Sequence, residues 1–126
     1  MDAQAGLESE VARRLRAAGA RFAFLFGSRV GDHGRPESDL DVAAWWGEGA
    51  PGPWKVELPA GVDLMVLDRA PLWLTGRVAL YGRLLFDDAP GLRVAWQADT
   101  RLVYLDELPQ LRRRQEEWLR VVVDGR

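Results

Sequence analysis

Phe26-Gly27-Ser28-Arg29-Val30-Gly31-Asp32-His33-Gly34-Arg35-Pro36-Glu37-Ser38-Asp39-Leu40-Asp41 carries the most specific pattern in the chain. Its pattern is Gly-Ser, ten intervening residues, then Asp-x-Asp. Before it, residues 21–26 form an apolar run of strand length. After it, Leu40, Val42, Ala43, Ala44, Trp45 and Trp46 carry a second apolar run over 39–46. In a strand, side chains two apart point the same way, so Asp39 and Asp41 project together from one face. Two carboxylates held that close repel unless a cation or a shared proton relieves them. A hard divalent ion such as Mg²⁺, ligated by oxygen and bridging to phosphates, supplies that relief. Gly27 and Ser28 suit the phosphate itself. Glycine permits close backbone approach, and a serine opening a helical turn offers N–H groups and a hydroxyl to an anion.

With these residues in view, the stretch resembles the Gly-Ser-x10-Asp-x-Asp signature of the polymerase-beta-type nucleotidyltransferases, and its spacing needs no insertion. Short length and a helical tail make it similar to the minimal nucleotidyltransferases, the MntA-like antitoxins paired with HEPN-domain toxins. The motif covers about residues 21–88, and the rest matches by general layout. The resemblance implies an α+β, two-layer fold. Its parts are a small mixed β-sheet of about four strands, helices on one face, and C-terminal helices. The whole of 1–126 is expected to form one minimal nucleotidyltransferase domain, with a catalytic core over about 21–88 and a helical segment over about 90–124.

The resemblance also implies the chemistry. Asp39 and Asp41 hold two Mg²⁺ ions, and a third carboxylate on the neighbouring strand helps and takes the proton of the attacking hydroxyl. Asp63 matches that position. Gly27 and Ser28 bind the β- and γ-phosphates of ATP, and Arg29 follows within reach of a phosphate. The acceptor implied is a tyrosine of a cognate HEPN ribonuclease toxin. AMP transfer to that tyrosine would silence the toxin by adding bulk and negative charge, as in a type VII antitoxin. Two other readings compete: a small-molecule transferase of the aminoglycoside type, whose members usually carry a further helical domain, and an antitoxin that acts by binding alone.

Composition bounds these readings without choosing among them. The chain has 126 residues, of which 48% are hydrophobic and 29% charged, which fits one globular core and excludes wholesale disorder. No apolar run is long enough to span a bilayer, no signal-peptide pattern opens the chain, and there is no cysteine for a disulfide or thiolate site. A cytoplasmic protein with no membrane contact is the expectation. The net charge of −2 gives no general reason to bind nucleic acid directly. Lys55 is the one lysine, so the cations are almost all arginines suited to forked phosphate or carboxylate contacts.

Along the rest of the chain, 7–18 reads as a scaffold helix with Leu7, Val11, Leu15 and Ala18 on one face and Gly19 to stop it. Residues 28–38 read as a short helix dissolving into a ligand-facing loop. His33, the lone histidine there, makes no metal site by itself. Residues 47–60 hold Gly47, Gly49, Pro51, Gly52, Pro53 and Pro59, a breaker density incompatible with the helix that relatives place there. Trp45, Trp46 and Trp54 are expected to pack in its stead. Residues 61–68 form a third strand, with Val62, Leu64 and Val66 on one face and Asp63, Met65 and Leu67 on the other. Asp68 reads as a helix cap. Residues 71–81 form a helix ending at Gly82, and 83–87 a last strand. From about Pro90 two helices follow, the second starting near Asp106 with Leu108, Leu111, Trp118, Leu119 and Val122 along one face.

Overall fold

The computed structural model describes residues 3–27 and 40–124, of which 122–124 by backbone alone. The apolar runs flanking the motif are strands β1 (Phe22–Phe26) and β2 (Leu40–Trp45). They pair antiparallel, Phe22 opposite Trp45 and Phe26 opposite Asp41. Strand β3 (Val62–Val66) lies parallel to β2, and β4 (Arg83–Asp87) lies antiparallel to β1. The sheet is therefore mixed and four-stranded, in the order β3-β2-β1-β4. Helix α1 (Ala3–Ala17) precedes it, and α2 (Leu72–Tyr81) and α3 (Pro90–Asp124) complete the element order.

The two central strands show why the sheet needs cover on both sides. Phe22, Ala23, Phe24 and Leu25 are all buried, as are Val42, Ala43 and Ala44, with no polar residue turned outward among them. A strand apolar at every position belongs to a sheet covered on both faces. The expectation of helices on one face is thus corrected. Val11 and Leu15 of α1 pack with Ala23, Leu25, Val42 and Ala44 on one side. Val78 of α2 and Trp96 of α3 pack with Phe22, Phe24 and Ala43 on the other. Burying a side chain such as Phe22 or Phe24 completely is worth about 1.5–3 kcal/mol.

The Gly/Pro-rich segment joins β2 to the parallel β3 on the α1 side. It contains only a single short 3-10 turn, Pro53–Lys55. Its Ala50, Val56 and Leu58 pack against the α1-side core and take the place of the missing helix. Arg69 donates to the carbonyls of Ala50 and Pro51, and Arg14 to that of Glu57. The tryptophans divide. Trp45 stacks on Phe22 with ring centroids 4.9 Å apart, and Trp46 is buried with its Nε1 donating to Ala18 O at 3.0 Å. Trp54 departs from the expected core role, being 81% exposed.

Asp68 caps no helix. Its carboxylate accepts from the backbone N–H of Trp46 at 3.0 Å and of Gly47 at 2.7 Å, closing off the end of β2. The donors it satisfies are the ones left over where β2 runs out of strand partner. Pro71 occupies the N-cap of α2, and Gly82 ends the helix with its N–H on Val78 O. The C-terminal region is one helix of 35 residues rather than two, passing through Pro109. A proline inside a helix removes one hydrogen bond and costs about 3 kcal/mol. Half-buried Leu108 and Leu111 anchor the chain on both sides of it. Helices α2 and α3 approach so closely that a side-chain Cβ at Gly76 would overlap the ring of Tyr104. Gln97 Nε2 and Arg101 Nε both donate to Ala79 O, satisfying a carbonyl near the end of α2.

Candidate active site

The site is built from strand parity and register. Ala43 and Trp45 of β2, and Met65 and Leu67 at β3, pack on the α2/α3 side. Alternation along each strand puts Asp41 and Asp63 on that same side. In the parallel pairing Asp41 lies directly opposite Asp63, about 4.8 Å away between backbones. On β1, Phe26 stands opposite Asp41. Phe26, Asp41 and Asp63 thus form one row across three strands at one end of the sheet. Buried Ala43, Leu67 and Val78 belong to the covered part of this face. Asp41 is half-buried and Asp63 exposed, so the acidic end of the face opens to solvent.

Gly27 follows at the end of β1 with φ +96, a conformation side chains rarely adopt. A Cβ there would overlap Asp41 Oδ2 and lie 2.9 Å from its Cγ and 3.0 Å from its Cβ. The glycine is required twice over, by its backbone angle and by the carboxylate pressed against it. Where the chain leaves β1 towards Ser28, its backbone is therefore in contact with the Asp41 side chain.

Of the residues expected from the sequence, Gly27, Asp41 and Asp63 come together. Ser28, Arg29 and Asp39 lie outside the described residues, next in the chain to Gly27 and Leu40. No cluster of three or more His, Cys, Asp or Glu side chains with the geometry of a metal site occurs among the described residues. Asp41 and Asp63 do offer two all-oxygen ligands on one face, the donor type that suits Mg²⁺. Phe26, unremarked in the sequence, is half-buried and borders Asp41 on the strand opposite Asp63. Strand parity alone, counted back from Gly27, was the signal for it.

Elsewhere several arginines are engaged in the scaffold. Arg93 pairs with Asp87, Arg83 with Glu8, and Arg16 with Asp88 while lying 4.6 Å over the Phe86 ring. Hydrogen bonds from Arg13 and then Arg14 hold the Glu10 carboxyl down at about 2. No helix among the described residues is long and apolar enough to cross a membrane.

No protein-family model matches the chain, and no curated protein matches it in sequence. Solved structures do match in fold. A toxin–antitoxin crystal structure with AMP-PNP contains a chain 20% identical, aligned over 89% of this chain and 98% of that one with a TM-score of 0.69. A chain of the MntA–HepT toxin–antitoxin is 19% identical, over 92% and 99% of the two chains, again with a TM-score of 0.69. The third is a rebuilt structure of a tri-AMPylated Shewanella oneidensis HEPN toxin in complex with its MNT antitoxin. There the identity is 19%, the coverage 92% and 98%, and the TM-score 0.69. With its mixed four-stranded sheet and its helices on both faces, the chain shares the fold of the MNT antitoxin chains in these toxin complexes.

Proposed function

We propose that this protein is a Mg²⁺-dependent nucleotidyltransferase that transfers AMP from ATP to a tyrosine of a HEPN-domain toxin and so neutralises it. The observation that carries the reading is the meeting of Gly27, Asp41 and Asp63 at one open end of the sheet. The fold shared with MNT chains from toxin complexes, one of them AMPylated, supports the choice of acceptor.

In this reading the whole chain works as one minimal transferase domain, with residues 21–88 as catalytic core and 90–124 as its helical segment. Asp39, Asp41 and Asp63 are the ligands for two Mg²⁺ ions, which when bound neutralise the triphosphate and lower the barrier to its displacement. Gly27 and Ser28 hold the β- and γ-phosphates by close backbone approach, and Arg29 adds a cation beside them. Asp63, the exposed member of the pair, faces the entering acceptor. The tyrosine oxygen attacks the α-phosphorus and forms the new O–P bond. The bond from the α-phosphorus to the bridging oxygen breaks, pyrophosphate leaves with that electron pair, and the phenol proton passes to Asp63.

The test is intact-mass analysis of the protein encoded by the adjacent gene after incubation with this chain, Mg²⁺ and ATP. A gain of one or more AMP units, absent with an Asp39→Asn/Asp41→Asn variant, is the expected result. No gain with a stable complex would replace transfer by neutralisation through binding alone. Asp63→Asn provides a sharper check. Circular dichroism should show the variant folded while transfer is lost.

A further inference from the structure

The long C-terminal helix outruns the body it packs on. Tyr104 is buried and Leu108 and Leu111 are half-buried, but every residue from 112 to 121 is exposed. At 1.5 Å per residue those ten residues extend about 15 Å. The face is nevertheless continuous. Steps of four and three carry the stripe from Tyr104 through Leu108 and Leu111 to Gln115 and Trp118, with Leu119 at its border. Trp118 is 64% exposed and Leu119 47%, so the stripe that packs inward at Tyr104 runs on uncovered.

Charge says what can cover it. Arg112, Arg113, Arg114 and Arg120 outnumber Glu116 and Glu117 on this extension, while the whole chain is net −2. The extension is a positive arm on a negative protein. Two copies laid along each other would bring positive against positive. A partner with carboxylates around an apolar groove meets both features at once.

We propose that residues 112–121 of α3 form a docking arm for the acceptor protein. Trp118 and Leu119 seat in an apolar groove between its helices, and the arginines meet acidic side chains at the groove's rim. The inference rests on the reading that the acceptor is a protein, and it adds the surface by which that protein is held. Amphipathic helices bind in grooves through such spaced anchors. Tryptophan and arginine are the side chains on which such interfaces depend most. Holding the acceptor by an arm away from the carboxylates leaves the acidic end of the sheet free for nucleotide and tyrosine.

The experiment is a binding titration of the full chain against the purified protein of the adjacent gene, with a Trp118→Ala/Leu119→Ala variant, an Arg113→Glu/Arg114→Glu variant and Asp41→Asn. Sedimentation velocity on each protein alone reports self-association, and circular dichroism reports folding. The apolar variant should keep its helical signal and bind at least about 30-fold more weakly, the loss of one strong anchor. The charge variant should associate more slowly and lose the salt dependence of the wild type, whereas Asp41→Asn should bind normally. Equal affinity of the apolar variant and the wild type would overturn the arm. So would a wild-type dimer that this variant abolishes, because the occupant would then be a second copy. A wild type that neither binds nor modifies the neighbouring protein would instead remove the protein-acceptor reading, and the arm with it.

Discussion

Replacing Gly27 by alanine separates backbone strain from damage to the candidate site, because a second glycine provides the control. Both Gly27 and Gly49 have positive φ, +96 and +64. An L-residue in the left-handed region costs about 1–2 kcal/mol, so Gly49→Ala should lose about that much stability and Gly27→Ala at least as much. For a domain of this size total stability is about 5–15 kcal/mol, and both variants should remain folded. Around Gly49 there is nothing within 4 Å, and the strain is the whole effect. Around Gly27 the new methyl meets Asp41 Oδ2, with Cγ at 2.9 Å and Cβ at 3.0 Å. Real Cβ contacts lie beyond about 3.4 Å for nine in ten cases, so the carboxylate must swing aside. A misplacement of about 1 Å in a reacting group costs about 100-fold in rate. Urea denaturation should therefore place Gly27→Ala somewhat below Gly49→Ala, by the displacement of the carboxylate, and AMP incorporation measured by intact mass should fall about 100-fold for Gly27→Ala alone. Normal transfer by a folded Gly27→Ala protein would refute the placement of Asp41 in the chemistry.

Other consequences of the structure can be measured in the same way. Gly76→Ala inserts a methyl into the Tyr104 ring, and overpacking of this kind should cost about 1–3 kcal/mol, read as a lower urea midpoint. Asp68→Ala leaves the N–H groups of Trp46 and Gly47 without their acceptor. Its cost is about 1–3 kcal/mol, whereas a surface aspartate elsewhere would be silent. Glu10 has its carboxyl lowered from 4.5 to about 2 by hydrogen bonds from Arg13 and Arg14. A depressed folded-state value means that its contribution is fully present above about pH 4.5 and is lost as pH falls through about 2. Glu10→Gln should flatten the acid limb of the stability profile in that window and leave neutral-pH transfer unchanged.

The sequence made the site more legible than the layers around it. Gly27, Asp41 and Asp63 are short-range signals, a turn residue and two charges on otherwise apolar strands, and strand parity suffices to bring the carboxylates to one face. The bounds of β4 were equally plain because Gly82 and Asp88 bracket an apolar core. Cover on both faces was written in the unbroken burial of Phe22–Leu25, but a resemblance to a two-layer fold outweighed it. Asp68 looked like a cap because a helix follows it. Its actual donors lie 22 and 21 residues earlier, at the end of β2, where only tertiary structure could bring them. The join of two expected helices into α3 has the same origin. The helix continues through Pro109 with Leu108 and Leu111 half-buried on either side of it, a burial that local propensity does not show. Trp54 shows the converse case, a large apolar residue that the segment carries outward beyond Pro53.

The crossover from β2 to β3 is fastened by a different currency from the rest of the surface. Arg69 grips the peptide carbonyls of Ala50 and Pro51, so this clasp joins a guanidinium to neutral oxygens rather than to a carboxylate. The pairs Arg16–Asp88 and Arg83–Glu8, which tie α1 to β4 and its end, are instead charge-on-charge contacts at the surface, which dissolved salt screens. High salt should therefore loosen the α1–β4 edge of the sheet first and leave the crossover clasped beside it.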